Sequence, residues 1–561
     1  MTSALDMFYQ RRWLAFGTLA ILTALLLLRE LGNPALGYPD ADRLLMDGVF
    51  LLDFLRALPF DRVIEFTKAY YAQYPALSIG YRPPFFPFIE ALFNAVFGIN
   101  TWSSRLAILA FALPGLAAWY ALVARIYTRE VAFWACALLI TTPFLVQWGW
   151  YTMGEIPLLA MAMMTLYFFY RYSETQAAKY IYLTAIFFCL TAWTKQTAVY
   201  LAAFFFFYLL YRRQLLSFLR SRESWIAIAI AALLLLPLAA ITLWLGDLNV
   251  QQSVGSTEAS GTPSRLSVAN WLAHWHSLTA YHFNWPTLAL SAVGLLLALY
   301  KRDDRAVFFA LLILVTYLFF SLLAGKNPRY PFFWMPAFTV FAALALVYFK
   351  QPLARVLWTI ALLAVVSFNV YESWRKQPQY ATGYDTAARF VLEHSKSPTV
   401  FFDGYNNGYF TYFMRAADPA QTMYVLRGDK LLTSSAINNS IWLEVHARDE
   451  ADIERMLKEY GIELVVLESR DVSGIPIHQK LRTLVTGDRF ELLARIPVES
   501  NREPLQAQTL DIYRYRHAQA MTASHLTLKL PVVGQTIQVP MRAATGSARG
   551  TQPSSNQAVI P

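Results

Sequence analysis

Residues 225–245 read WIAIAIAALLLLPLAAITLWL, a run without a single charged side chain, and the segment just before it carries Arg212, Arg213, Arg220 and Arg222. Crossing a bilayer as a helix takes about 20 mostly apolar residues, so this run reads as a span with a basic cytoplasmic flank. Comparable runs lie at approximately 13–31, 102–124, 130–149, 153–171, 178–194, 196–211, 285–300, 305–324, 330–349 and 353–371. The expectation is a polytopic α-helical membrane protein with about eleven transmembrane helices. Composition agrees: of 561 residues 57% are hydrophobic and 15% charged, against about 45–50% and about 25% in a soluble domain. A soluble enzyme is excluded.

Basic residues orient the spans. Arg11 and Arg12, Arg125 and Arg129, Arg171 and Lys179, Arg212 to Arg222, Lys301, Arg302 and Arg305, and Lys350 and Arg355 fall in alternate connections, which the positive-inside rule makes cytoplasmic. The net charge of +10 therefore reports topology, and no nucleic-acid partner is expected from clusters scattered between apolar runs. The alternation requires that Pro83–Gly98 not cross, because Pro83, Pro84, Pro87 and Glu90 interrupt it; it reads as an interfacial helix in the first outer loop. A basic start before the first apolar run resembles a signal peptide, but Arg29 and Glu30 separate that run from the small-residue site Ala35-Leu36-Gly37, so an uncleaved anchor is expected. The N-terminus is then cytoplasmic, in the inner or plasma membrane.

Three polar bodies remain outside: Asn33–Thr101, Gly246–Asn284 and everything after about Tyr371. Strand-like runs (Thr399–Phe402, Met423–Leu426, Glu463–Leu467, Phe490–Ile496, Leu510–Tyr515) alternate with helical stretches in the last body, so the expected domains are a membrane module over 1–371 and an extracytoplasmic α/β domain over 372–542. Composition turns to Ala, Gly, Ser, Thr, Gln and Pro over 543–561, which reads as a disordered tail. Cys136 and Cys189 sit inside apolar runs and offer neither a disulfide framework nor a zinc site. The run Ser253–Ser264 reads as a mobile loop.

Ionisable residues gather at the outer helix ends, where charge is costly unless something uses it. The first loop opens with Tyr38-Pro39-Asp40-Ala41-Asp42-Arg43-Leu44-Leu45-Met46-Asp47, which on a helix puts Asp40, Arg43 and Asp47 on one face. Tyr81 and Arg82 precede Pro83; Glu155 opens the fourth span; Lys195 lies between the fifth and sixth; Lys326, Arg329 and Tyr330 precede the tenth. Taken singly, Asp40 or Asp42 is equally a helix cap, Glu155 a first-turn acid, and the basic residues snorkelling anchors. Snorkelling does not account for bases on the side where few are expected, and the set together suits displacement of a phosphate from a sugar. An acceptor hydroxyl needs a carboxylate base, and a departing phosphate needs fixed cations. Asp40 is the candidate base, with Glu155 positioning the acceptor, sharing the base role or holding a divalent metal; Lys195, Lys326 and Arg329 would hold the phosphate, with Arg82 a further candidate.

The order of an acidic first outer loop, Arg82-Pro83-Pro84, Leu92–Gly98 and Ser104-Arg105-Leu106, then Glu155, Thr194-Lys195 and Arg329-Tyr330 ahead of Pro336, resembles the GT-C integral-membrane glycosyltransferases, in the branch of protein O-mannosyltransferases and lipid A aminoarabinose transferases. The resemblance covers about residues 1–371. It implies a polyprenyl-phosphate-linked sugar donor, an extracytoplasmic lipid, protein or glycan acceptor, and inversion by single displacement, with Asp40 as the first-loop acid, Glu155 as the second and Lys195 as the basic residue after the middle spans. Asp40-Ala41-Asp42 replaces the usual adjacent acids, which leaves Asp42 a second candidate for the base, and Gln196 stands where glycine is common. No cofactor is implied with certainty; a divalent metal is compatible and not required.

His274-Trp275-His276 with His282 has a spacing compatible with zinc, although a Trp- and Tyr-rich outer loop more often holds interfacial residues. Asp403-Gly404-Tyr405-Asn406-Asn407-Gly408 reads as a turn after a strand, with glycan binding as the alternative. The competing functional classes are a transporter or flippase, which would place ionisable residues near the membrane midplane, and a non-catalytic scaffold.

Overall fold

Prolines and capping side chains set where the helices start and stop. Asn100 accepts the Ser103 N–H at 2.8 Å to open Thr101–Ile126, Thr128 does the same for Val131 ahead of Arg129–Thr141, and Asn284 caps Trp285–Lys301. A computed structural model describes residues 8–78, 81–245, 250, 255, 262–436, 442–471, 473–530 and 534–541. Most of the run Ser253–Ser264 and all of the tail 543–561 lie outside them. Among the described residues, Thr101–Ile126, Arg222–Leu245, Pro331–Tyr348 and Pro352–Arg375 are long and apolar enough to cross a membrane. Shorter apolar helices include Trp13–Leu27, Phe85–Phe97, Ala178–Thr194, Gln196–Tyr211, Trp285–Lys301 and Ala306–Leu322. By length and composition these helices suit a membrane-embedded bundle.

One expected span is not straight. The run 130–149 divides into Arg129–Thr141 and Pro143–Trp150, bent by 58°. Pro143 has no N–H to donate and opens the second piece at its first helical position. The break carries the chain into the turn 151–154 and so to Glu155, the first residue of Glu155–Thr175. Thr152 in that turn has φ +53°, a left-handed conformation that a β-branched residue adopts only under constraint.

The chain divides into two compact units. The first comprises 1–59, 76–382 and 499–506, and the second 60–75, 383–498 and 507–561. The first is a helical bundle whose core runs through Trp119, Phe169, Tyr200, Phe309 and Trp334. Its outward face is apolar too: Trp225, Leu233, Leu236, Leu243 and Trp244 of Arg222–Leu245 are all exposed. The helix Phe85–Phe97 exposes Phe88, Leu92 and Val96, four residues apart, and buries Phe86, Glu90, Ala91 and Asn94 on its other face.

The second unit holds a five-stranded sheet in the order β2-β1-β5-β7-β6, made of β1 (Thr399–Asp403), β2 (Tyr424–Arg427), β5 (Leu464–Glu468), β6 (Phe490–Val498) and β7 (Gln508–Tyr515). The hairpins β3 (Thr433–Ala436) with β4 (Trp442–Val445) and β8 (His525–Leu530) with β9 (Gln535–Pro540) stand apart. β1 pairs in parallel with β2 and β5, and both β1 and β5 are buried along their length. β7 and β6 continue antiparallel. The helix Val63–Gln73 belongs to this unit: Gln73 donates its amide to the carbonyls of Gln421 at 2.7 Å and Met423 at 3.1 Å.

Candidate active site

Asp40 immediately precedes the helix Ala41–Ala57, yet its side chain makes no cap. Its Oδ2 lies 3.0 Å from Arg82 Nη2 and 3.4 Å from Arg329 Nη2, and Arg82 Nη1 also donates to the Asp40 carbonyl at 3.2 Å. Glu155 is buried, with Oε1 3.0 Å from Lys195 Nζ and 3.7 Å from Arg329 Nη1. Its Oε2 is buried without a hydrogen-bond partner. Arg329 therefore bridges the two acids, and residues far apart in sequence meet in one cluster.

Aromatic rings hold the bridge in place. The Arg329 guanidinium lies 5.2 Å from the Tyr38 ring centroid, 5.6 Å from Trp148 and 5.8 Å from Tyr330, and Lys195 Nζ lies 5.6 Å from the Tyr330 ring. Each such contact contributes about 0.5–1 kcal/mol, and planar guanidinium suits both stacking and two-sided acid contact better than an ammonium. Burial alone would raise the Asp40 pKa, but Arg82, Arg329 and Arg43 outweigh it and hold the carboxyl far below the usual range. Burial likewise works against charge on Arg82 and Arg329, and the neighbouring acids overcome it and push both up. Burial raises the Tyr81 hydroxyl, which also interacts with Arg82, Asp40 and Tyr330.

Other expected residues are placed differently. Asp42 is buried in the first turn, where Oδ1 accepts the Arg43 N–H at 2.6 Å. Asp47 is buried, accepting the Ser78 N–H at 2.8 Å and bonding the Ser78 hydroxyl, and so ties the helix to the approach of Tyr81 and Arg82. Lys326 turns to the end of Ala306–Leu322, where Nζ donates to the carbonyls of Phe320, Ser321 and Leu323 at 3.3, 2.8 and 2.5 Å. Those three bonds occupy all three ammonium donors, so Lys326 acts as a helix C-cap; burial, then Arg265, lowers its pKa to about 8.

The histidines do not converge. His274 Nε2 meets the Phe320 carbonyl at 3.1 Å, His282 Nε2 meets that of Pro328 at 2.7 Å, and His276 is exposed. Burial pushes His274 and His282 down to about 4. Among the described residues no group of three or more His, Cys, Asp or Glu is arranged to hold a metal. The turn 403–408 leads into the helix Asn407–Ala417, where Glu468 accepts the N–H groups of Tyr405 at 2.9 Å and Asn406 at 3.0 Å and the Tyr384 hydroxyl at 2.7 Å. Glu468 thus supplies the anion that this helix N-terminus attracts.

Tyr38 and Trp148 escape sequence reasoning as parts of this cluster. Aromatic residues at outer helix ends are expected in any membrane protein, and Trp148 lies on the short helix that follows the bend before Pro143.

Residues 81–241 match the profile of a family described as dolichyl-phosphate-mannose-protein mannosyltransferase. No curated protein matches the chain. ArnT from Cupriavidus metallidurans, solved bound to undecaprenyl phosphate, superposes with a TM-score of 0.59 at 12% identity over 89% of this chain and 97% of that one. The chain has the fold of the GT-C integral-membrane glycosyltransferases. The same GT-C fold is matched by an oligosaccharyltransferase from Archaeoglobus fulgidus in complex with zinc and sulfate (TM-score 0.53, 13% identity, 81% and 68% covered). It is matched again by the mycobacterial arabinofuranosyltransferase AftD (TM-score 0.50, 14% identity, 91% and 40% covered).

Proposed function

We propose that the protein is a glycosyltransferase that moves a sugar from a polyprenyl-phosphate carrier to an extracytoplasmic acceptor hydroxyl by inverting single displacement. The observation that carries this reading is Arg329, half-buried among three rings and bridging Asp40 to Glu155 beside Arg82 and Lys195. A neighbour of the same fold that holds undecaprenyl phosphate supports the donor class.

In the chemistry proposed, Asp40 takes the acceptor's hydroxyl proton as that oxygen attacks C1 of the sugar. The C1–O bond to phosphate breaks, and its electron pair leaves on the carrier phosphate. The donor's diester carries one negative charge and the departing monoester two; the charge gained by phosphate is the charge Asp40 loses. With both arginines on its carboxylate Asp40 is a poor base, because its pKa is held low. A donor phosphate that drew Arg82 and Arg329 to itself would raise Asp40's basicity and place the cations where charge develops. Arg82, Arg329 and Lys195 are the phosphate residues of this reading, with Arg43, Asp47, Tyr81 and Tyr330 in support. Asp40 is preferred to Asp42, which is buried and whose Oδ1 accepts the Arg43 N–H. Glu155 Oε2 is the oxygen that an acceptor hydroxyl or a divalent ion would meet; the charge balance closes without a metal.

The topology proposed is about eleven crossings, with the N-terminus in the cytoplasm and the chain from 372 onward outside. The apolar stripe Phe88, Leu92 and Val96 supports an interfacial setting for Phe85–Phe97, with lipid against that face. The test is binding of undecaprenyl phosphate to the purified full-length protein by native mass spectrometry. Wild type should retain the lipid and Arg82→Ala and Arg329→Ala should lose it; equal retention by all three would overturn the reading.

A further inference from the structure

His282 is fully buried, and both ring nitrogens are engaged. Nε2 lies 2.7 Å from the Pro328 carbonyl, and Nδ1 lies 2.9 Å from Trp334 Nε1. An indole N–H only donates and a carbonyl only accepts, so the ring is neutral with its proton on Nε2. The carbonyl it holds belongs to the peptide that links Pro328 to Arg329. Asn327 Oδ1 accepts the Arg329 N–H at 3.1 Å, which secures the other side of the same segment. The imidazole also packs against Phe144, with centroids 4.6 Å apart, and Phe144 lies on the helix Pro143–Trp150 that carries Trp148. One side chain therefore touches both the segment that carries Arg329 and the helix that supplies a ring for Arg329 to stack on.

We infer that His282 is the positioning residue for Arg329: its hydrogen bonds to Pro328 and Trp334 and its packing on Phe144 fix where the guanidinium meets the donor phosphate. This rests on the reading of Arg329 as a phosphate-binding residue. The role needs a ring whose two nitrogens differ, one a donor and one an acceptor. Gln offers a donor and an acceptor in one side chain, Asn offers both on a side chain one methylene shorter, and Phe keeps only the packing.

The test measures undecaprenyl phosphate affinity of the full-length protein in nanodiscs, with thermal unfolding as the folding control. His282→Phe should weaken binding about three- to tenfold, the equivalent of one net hydrogen bond, and His282→Gln should recover most of that loss. In an Arg329→Met background, His282→Phe should change nothing further. If His282→Phe fails to fold, the contrast between His282→Gln, which binds, and His282→Asn, which binds weakly, carries the same test. Unchanged affinity in His282→Phe, or an equal loss with and without Arg329, would overturn the inference alone. Unchanged affinity in Arg329→Met would overturn the phosphate reading and this inference with it.

Discussion

Replacing Arg329 by lysine keeps the positive charge and removes the planar fork. In the structure one guanidinium reaches Asp40 at 3.4 Å with Nη2 and Glu155 at 3.7 Å with Nη1 while stacking on Tyr38 and Trp148. A lysine ammonium is a single point and cannot span both acids and both rings at once. A bond to a charged group is worth about 1.5–3 kcal/mol net, so losing one such contact to the departing phosphate should lower kcat/KM about ten- to hundredfold. Arg329→Met removes the charge as well and should lower it about 10²–10³-fold, the cost of one oxyanion-type donor. The assay is steady-state turnover in nanodiscs with the lipid-linked sugar that accumulates in deletion cells, at matched protein and matched unfolding temperature. If both variants stay within about threefold of wild type, a change too small for either loss, Arg329 holds loops together and not phosphate.

Asp40→Asn should cut kcat about 10²–10⁴-fold, the contribution of a general base, without weakening undecaprenyl phosphate binding in equilibrium measurements, because it frees Arg82 and Arg329. Glu155→Gln leaves Lys195 without its buried counter-charge and should cost about 3 kcal/mol or less, at the low end for a broken buried pair because Lys195 is partly exposed; Glu155→Gln with Lys195→Met should regain stability in thermal unfolding and no activity. In the second unit His478 Nδ1 and Asp403 Oδ1 lie 2.7 Å apart. Burial opposes charge on both, but their mutual bond raises His478 and lowers Asp403. The stability His478 contributes is whole below the ordinary histidine value of about 6.5 and lost as pH rises through its raised value, whereas Asp403's is whole above about 3.9 and lost as pH falls through its lowered value. Hydrogen exchange of the β1 and β5 amides should therefore be slowest, once corrected for intrinsic rate, near pH 5–6, and His478→Asn should flatten the alkaline limb. Gly294→Ala would place a Cβ 1.8 Å from the Phe341 carbonyl oxygen, forcing apart Trp285–Lys301 and Met335–Tyr348 at about 1–3 kcal/mol, measurable as a lower unfolding temperature.

Apolar length made the helices legible, since 178–194 and 225–245 can bury their backbone bonds in lipid only as helices. The bend between Thr141 and Pro143 was less legible, because Pro143 within an apolar run marks either a kink or a break, and neighbours decide which. Asp40, Arg82, Glu155, Lys195 and Arg329 were readable as a set because charge at an outer helix end is costly. Lys326 carried the same signal and is placed on helix carbonyls instead, since position alone cannot separate a ligand for phosphate from a ligand for a helix end. Tyr38 and Trp148 were hidden because an interfacial aromatic residue needs no partner to be explained. Residues 60–75 read as part of the first outer loop, yet fold with the sheet unit through Gln73, a long-range pairing with no periodic trace in sequence.

Mass spectrometry of polyprenyl-linked sugars and envelope glycans from cells with wild-type protein, Asp40→Asn or no copy, at matched membrane levels, tests the central claim most directly. The account predicts that the substituted and deleted cells accumulate the same lipid-linked sugar and lack that sugar on one envelope product. Asp40→Asn cells that match wild type while deletion alters transport or envelope assembly would contradict it.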